Sequence, residues 1–150
     1  MNKTTQAPPG TLSLKSLHHV ALSVADMDRS IEWYERVLDA NVRLSYQMPD
    51  HPVRIAFLEL GGDIELELIE FEGSQAYPTG SMPDEVVRTQ GYAHIAFAVD
   101  DVVATTELLR RRGAGVAWEP RDWAESSLRT ANLLDPDGNI VELVEPLEAG

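Results

Sequence analysis

One offset of 75 residues relates the first half of this chain to the second, and it constrains the fold more than any other feature. His19 and His94 lie 75 apart, Glu67 and Glu142 lie 75 apart, and each His precedes its Glu by 48. The same shift carries Val20 to Ile95, Ala21 to Ala96, Leu22 to Phe97, Val24 to Val99, Asp26 to Asp101, Arg54 to Arg129, Leu66 to Val141 and Leu68 to Leu143 without a gap. A solenoid needs at least about three units to bury a continuous core, so a duplicated pair closing on itself fits better.

The order of elements repeats as well. Residues 17–24 alternate as a strand, and Asp26 caps a helix that places Ile31, Tyr34, Val37 and Leu38 on one face. Strands follow near 42–48, 53–60 and 63–71, with Gly61-Gly62-Asp63 turning between the last two. The second pass gives a strand from His94, a helix capped by Asp101 and stopped at Gly113, and strands near 115–119, 127–134 and 139–145. Asp135-Pro136-Asp137-Gly138-Asn139 turns where the glycine pair turned before. The expected class is α+β: two tandem βαβββ modules, 17–72 and 91–146, forming a curved mixed sheet. A turn-rich linker at 73–90 joins them into one domain over 16–146, between a flexible leader at 1–15 and a tail at 147–150.

Strand parity then selects side chains. Successive residues point to opposite faces, so His19 shares a face with Ala21 and Ser23, and His94 with Ala96 and Ala98. Small neighbours leave room for a cavity, while Val20, Leu22, Val24 and their counterparts pack under the helices. Glu67 and Glu142 fall on the cavity side, where an ionised carboxylate is costly unless paired or bound to a cation. Two imidazoles and two carboxylates suit one divalent metal, with Zn, Ni, Co, Mn and Fe(II) all compatible. Zero cysteines remove thiolate ligands and disulfides from consideration. Glu65 shares the parity of Glu67 but maps onto Ile140, so Glu67 is preferred. His18 takes the opposite parity and reads as a packing or supporting residue.

Charge excludes other roles. Against 25 acidic residues stand 12 basic ones, a net charge of -13, so a phosphate backbone is an unsuitable partner and no nucleic acid is expected. No run approaches the roughly 20 apolar residues of a membrane span, and Met1 to Gly10 has no apolar secretory core. A cytoplasmic protein without a membrane partner is expected.

The strings Leu-His-His-Val-Ala-Leu-Ser-Val-Ala-Asp-Met-Asp-Arg-Ser-Ile-Glu-Trp-Tyr, Ala-His-Ile-Ala-Phe-Ala-Val-Asp-Asp and Asp-Pro-Asp-Gly-Asn-Ile-Val-Glu-Leu-Val-Glu resemble the vicinal oxygen chelate superfamily. That superfamily includes glyoxalase I, methylmalonyl-CoA epimerase, extradiol dioxygenases and fosfomycin-resistance proteins. The resemblance implies a divalent metal held by His19, Glu67, His94 and Glu142, the ligand pattern of the glyoxalase and epimerase branches. It implies an isomerase, epimerase or lyase acting on a small oxygenated carbonyl substrate, with Glu142 or Glu67 as the base and enediolate or enolate charge stabilised by the metal. Where glyoxalase I has a segment ending in Asn-Trp, this chain runs Glu67-Leu68-Ile69-Glu70-Phe71-Glu72, closer to the epimerases.

Two alternatives stay open. An Fe(II)-dependent extradiol-type dioxygenase would use His19, His94 and Glu142 alone, and a bleomycin-resistance-like protein would bind its ligand without metal. Arg54 and Arg129 occupy equivalent positions and are candidate contacts for an anionic substrate group. Tyr46, Met48, Phe71, Trp118 and Trp123 could line the pocket, but most aromatics at such places are packing residues, and they are left outside the candidate site. A homodimer is expected on resemblance, with the site either within one chain or shared between two.

Overall fold

The computed structural model describes residues 12, 14–76 and 82–147. Most of the expected leader, residues 148–150 of the tail and residues 77–81 of the linker lie outside the described residues. The first module runs β1 (Val20–Val24), α1 (Met27–Leu38), β2 (Asn41–Gln47), β3 (Val53–Leu60) and β4 (Ile64–Phe71). A short helix, α2 (Pro83–Val86), interrupts the stretch expected to be plain linker; its buried Pro83 and Val86 give that turn an apolar anchor. The second module runs β5 (His94–Ala98), α3 (Val102–Arg111), β6 (Gly115–Trp123), β7 (Leu128–Leu134) and β8 (Ile140–Pro146). None of the described helices is long and apolar enough to cross a membrane.

The two module helices, α1 and α3, each start where the cap predicts. The Asp26 carboxylate accepts from the Arg29 amide at 2.9 Å, and Asp101 accepts from Ala104 at 2.8 Å. A second carboxylate reaches each helix start from the adjoining sheet. Glu70 on β4 accepts from the Met27 amide, and Glu145 on β8 accepts from Val102. Negative charge there meets otherwise unpaired amides and the positive end of the helix dipole.

The strands form two separately hydrogen-bonded sheets, β1-β4-β3-β2 and β5-β8-β7-β6. In each, the first strand pairs in parallel with the last, with Ala21 opposite Glu67 and Ala96 opposite Glu142. Apolar parity holds: Val24, Leu66, Leu68, Val141 and Leu143 are at most 2% exposed and join one core shared by both modules with Met27, Tyr34, Val37 and Val102. The opposite strand faces stay open, leaving Ala21, Ser23, Ala96 and Ala98 exposed.

Polar contacts tie the modules together. The Tyr34 hydroxyl donates to Asp135 Oδ2 at 3.0 Å, Arg29 pairs with Asp137 at 2.6 Å, and Arg112 pairs with Asp39 at 2.7 Å. Asp135 also accepts from the amides of Asp137 and Asn139 and from the Asn139 side chain, which explains the composition of that turn. Burial pushes the Asp135 carboxyl above its ordinary range, against the lowering effect of these donors. Burial also drives the Tyr34 phenol well above its usual value, with the nearby Asp135 charge adding to it.

Removing that phenol is expected to destabilise the chain. Tyr34→Phe deletes a buried hydrogen bond to a carboxylate, a loss of about 1.5–3 kcal/mol by urea unfolding at neutral pH. The alkaline limb supplies the second measurement. Because the folded state keeps the phenol proton to higher pH than the unfolded state, stability falls as pH rises past the unfolded value of about 10. In Tyr34→Phe this component of the alkaline loss disappears.

Candidate metal centre

Alternation along β4 and β8 puts Glu67 and Glu142 on the open faces, and each meets the histidine expected for it. His19 Nε2 lies 3.3 Å from Glu67 Oε2, and His94 Nε2 lies 3.3 Å from Glu142 Oε2. Two donors about 2.0–2.2 Å from one metal, at angles between octahedral and tetrahedral, stand roughly 2.8–3.6 Å apart. Both pairs therefore have the spacing of one edge of a coordination shell, and their imidazole and carboxylate donors suit a borderline divalent ion.

The two pairs do not converge within one chain. Among the described residues, the one group of three or more candidate ligands within 4.8 Å of one another is His18, His19 and Glu65. His19 and His94 nevertheless border a common cavity of about 400 Å³, together with Leu17, Tyr34, Tyr92 and Ile140. The structure thus supplies two half-sites with the same internal geometry.

The neighbouring residues sort themselves by partner. Glu65 accepts from Arg43 at 2.7 Å, and that bond is the main reason its carboxyl is held below the usual range. Its other oxygen is buried without a hydrogen-bond partner. His18 was expected to pack beneath the helix, but its side chain is 80% exposed and its Nδ1 lies 2.9 Å from Nδ1 of His19. The reason is local: β1 begins at Val20, so strand alternation does not govern His18. Phe57, paired across the strands with Glu67, stands edge-on to His19 at 6.0 Å. Cross-strand pairing puts Leu44, Tyr46, Ile55, Ile69 and Phe71 on the same face, giving the first module an apolar floor.

Arg54 and Arg129 lie elsewhere. Arg54 pairs with Asp28 at 2.9 Å and approaches Glu70 at 3.8 Å, while Arg129 makes a two-pronged contact with Asp122 and pairs with Glu145 at 3.0 Å. Opposite Glu70 and Glu145 in the ladders, both arginines occupy the parity facing away from Glu67 and Glu142. Their shared offset reflects one repeated device, an arginine partnering the glutamate that caps the next helix. Arg54→Ala and Arg129→Ala are expected to lower the urea midpoint while leaving KM within about two-fold of the parent, since such pairs act on stability; steady-state kinetics beside unfolding curves checks both halves.

Known proteins resemble this chain in sequence and fold. The model of the Glyoxalase/Bleomycin resistance protein/Dioxygenase superfamily matches residues 16–143. Lactoylglutathione lyase of Haemophilus influenzae is 35% identical over 130 residues, covering 85% of this chain and 90% of the relative. The lactoylglutathione lyase of Salmonella typhimurium is 31% identical over 137 residues, covering 89% and 95%. A solved glyoxalase family protein from Enterococcus faecalis superimposes with a TM-score of 0.75 at 25% identity, covering 87% of this chain and 98% of its own.

Proposed function

The chain belongs to the Glyoxalase/Bleomycin resistance protein/Dioxygenase superfamily, and from that premise we propose that it is a divalent-metal-dependent, glyoxalase-like lyase or isomerase. The observation that carries this reading is the repeated His–Glu pair, 3.3 Å in both modules, in a chain whose relatives are named lactoylglutathione lyases. His19, Glu67, His94 and Glu142 would hold the metal, whose identity among Zn, Ni, Co, Mn and Fe(II) their donor chemistry leaves open.

When bound, the cation supplies Lewis-acid stabilisation of the negative charge that develops on two adjacent substrate oxygens. The protein's own part is proton transfer. Glu67 and Glu142 occupy equivalent positions in the two modules, so one carboxylate removes the C–H proton beside the carbonyl and either can return it to the neighbouring carbon. The open faces with Ala21, Ser23, Ala96 and Ala98 leave space for the reacting carbons, and the apolar floor around Phe57 excludes water on one side. The dioxygenase alternative leaves Glu67 idle, whereas here Glu67 meets His19 just as Glu142 meets His94.

A homodimer completes the centre in this reading. Each chain carries two open half-sites that do not converge, and a second copy turned about a two-fold axis supplies the missing pair to each. Metal analysis of the purified protein, with turnover measured on hemithioacetals, 2-methylacyl-CoA thioesters and catechols after reconstitution with each metal, tests the assignment. Turnover of a hemithioacetal or an acyl-CoA supports it; oxygen consumption with catechols alone would replace it by the dioxygenase reading.

A further inference from the structure

The open face of the second module differs from that of the first in one respect that symmetry does not explain. Glu142 pairs across the ladder with Asn132, and Asn132 with Trp118. Thr130 lies on the same parity as Asn132 and pairs with Arg121; Leu128, again on that parity, pairs with Trp123. Trp118 and Arg121 are three residues apart, so regular alternation would send them to opposite faces. A register shift between them cancels the difference and brings Trp118, Arg121 and Trp123 to the face that carries Glu142. Bulges of this kind re-aim side chains beside functional sites.

Arg121 packs against two indoles there. Its guanidinium carbon lies 5.0 Å from the Trp118 ring centre and 4.8 Å from that of Trp123. The Trp123 indole is fixed in turn by donating to the Thr130 hydroxyl at 2.9 Å. In a chain of net charge -13, Arg121 forms no ion pair with any described residue, while Arg129 on the neighbouring strand β7 is paired with Asp122 and Arg43 in the first module's sheet with Glu65. The two ring centres are themselves only 6.4 Å apart, so both indoles lie to one side of the guanidinium and leave N–H groups on its other side for a planar anion. The positions 75 residues back are Tyr46 for Arg121 and Arg43 for Trp118, so the first module has no equivalent arginine beside two indoles.

We propose that Arg121, packed beside Trp118 and Trp123, is the anion-recognition residue of the site and receives a carboxylate of the substrate by a bidentate contact. Two strand spacings and one two-residue step separate the Cα atoms of Arg121 and Glu142 by about 12 Å. The substrate class is therefore an oxygenated carbonyl compound whose metal-chelating end is joined by a tether to a carboxylate. The inference rests on the proposed metal-dependent function for where the reacting end sits. It does not depend on whether one chain or two complete the centre, because Arg121 and Glu142 belong to the same module.

The test uses the flanking tryptophans as reporters. Zn(II)-loaded protein is titrated with S-lactoylglutathione and with its diethyl ester, in which both carboxylates are blocked, following tryptophan emission. The free acid is expected to bind at least ten-fold more tightly than the diester. Arg121→Gln is expected to abolish that preference with metal content unchanged, and Arg121→Lys to keep part of it. Equal affinity of the wild-type protein for acid and diester, or an undiminished preference in Arg121→Gln, overturns the proposal. Turnover is scored separately: a wild-type protein that prefers the acid yet turns over no hemithioacetal or acyl-CoA refutes the reaction assignment and leaves the role of Arg121 standing.

Discussion

Glu142→Gln and Glu67→Gln are each expected to cripple turnover, but by routes that metal analysis separates. A glutamine keeps one oxygen at nearly the same place, so a weakened ligand set survives, whereas its amide cannot accept a proton at neutral pH. In the variant that loses the base, kcat falls by about two to four orders of magnitude with the metal retained, the range typical of a positioned general base. In the variant that loses mainly a ligand, metal content falls first, and activity recovers in part at high metal concentration. Assaying both against metal-loaded wild type thus assigns the base between two carboxylates that the structure treats alike, each 3.3 Å from its histidine. If both variants kept metal and turned over within ten-fold of the parent, neither glutamate would belong to the reacting centre.

That pair of experiments exists because the sequence carried so much of the centre. The 75-residue offset and strand parity together named Glu67 over Glu65, and the structure gives His19 to Glu67 while Arg43 takes Glu65. Helix starts were legible for the same reason: Asp26 and Asp101 act within three residues of themselves, so local sequence contains the whole cause. Contacts that depend on a distant partner were not legible. Glu70 and Glu145 obey the same offset, yet their task of capping α1 and α3 appears only when β4 and β8 lie beside those helices. That task also changes the meaning of Arg54 and Arg129, which the spacing alone allowed to face a substrate.

The irregularity in β6 is the clearest case. The sequence alone ends that strand near residue 119 and leaves Trp118 and Trp123 as packing residues, the commoner role of aromatics at such places, with no pointer to Arg121; strict alternation would place Trp118 and Arg121 on opposite faces. A bulge is set by pairing against β7, so its effect on side-chain direction is a tertiary outcome. The residues that break the repeat therefore became visible later than those that keep it. Under the proposed function the division is a chemical one: the repeated residues would hold a metal, and the unrepeated ones would meet the substrate.

Mixing two inactive variants is expected to restore activity, and this would be the most direct sign that the centre is shared between chains. His19→Ala damages the first module's pair and His94→Ala the second's, and each alone should lose more than about 99% of turnover, as removal of a metal ligand does at a centre this small. Suppose that one chain's first module meets its partner's second. A dimer of one His19→Ala and one His94→Ala chain then has one doubly damaged centre and one with all four donors intact. Random reassortment after unfolding and refolding makes about half the dimers mixed, so about a quarter of the wild-type centres return. If each chain closed its own centre, every centre in every dimer would lack a histidine and mixing would restore nothing. The open pairs at His19–Glu67 and His94–Glu142, which fail to converge within one chain, favour the first outcome. Recovery near a quarter, tracked by turnover and by metal bound per chain, is the expected result; none after verified mixing would place the whole centre in a single chain.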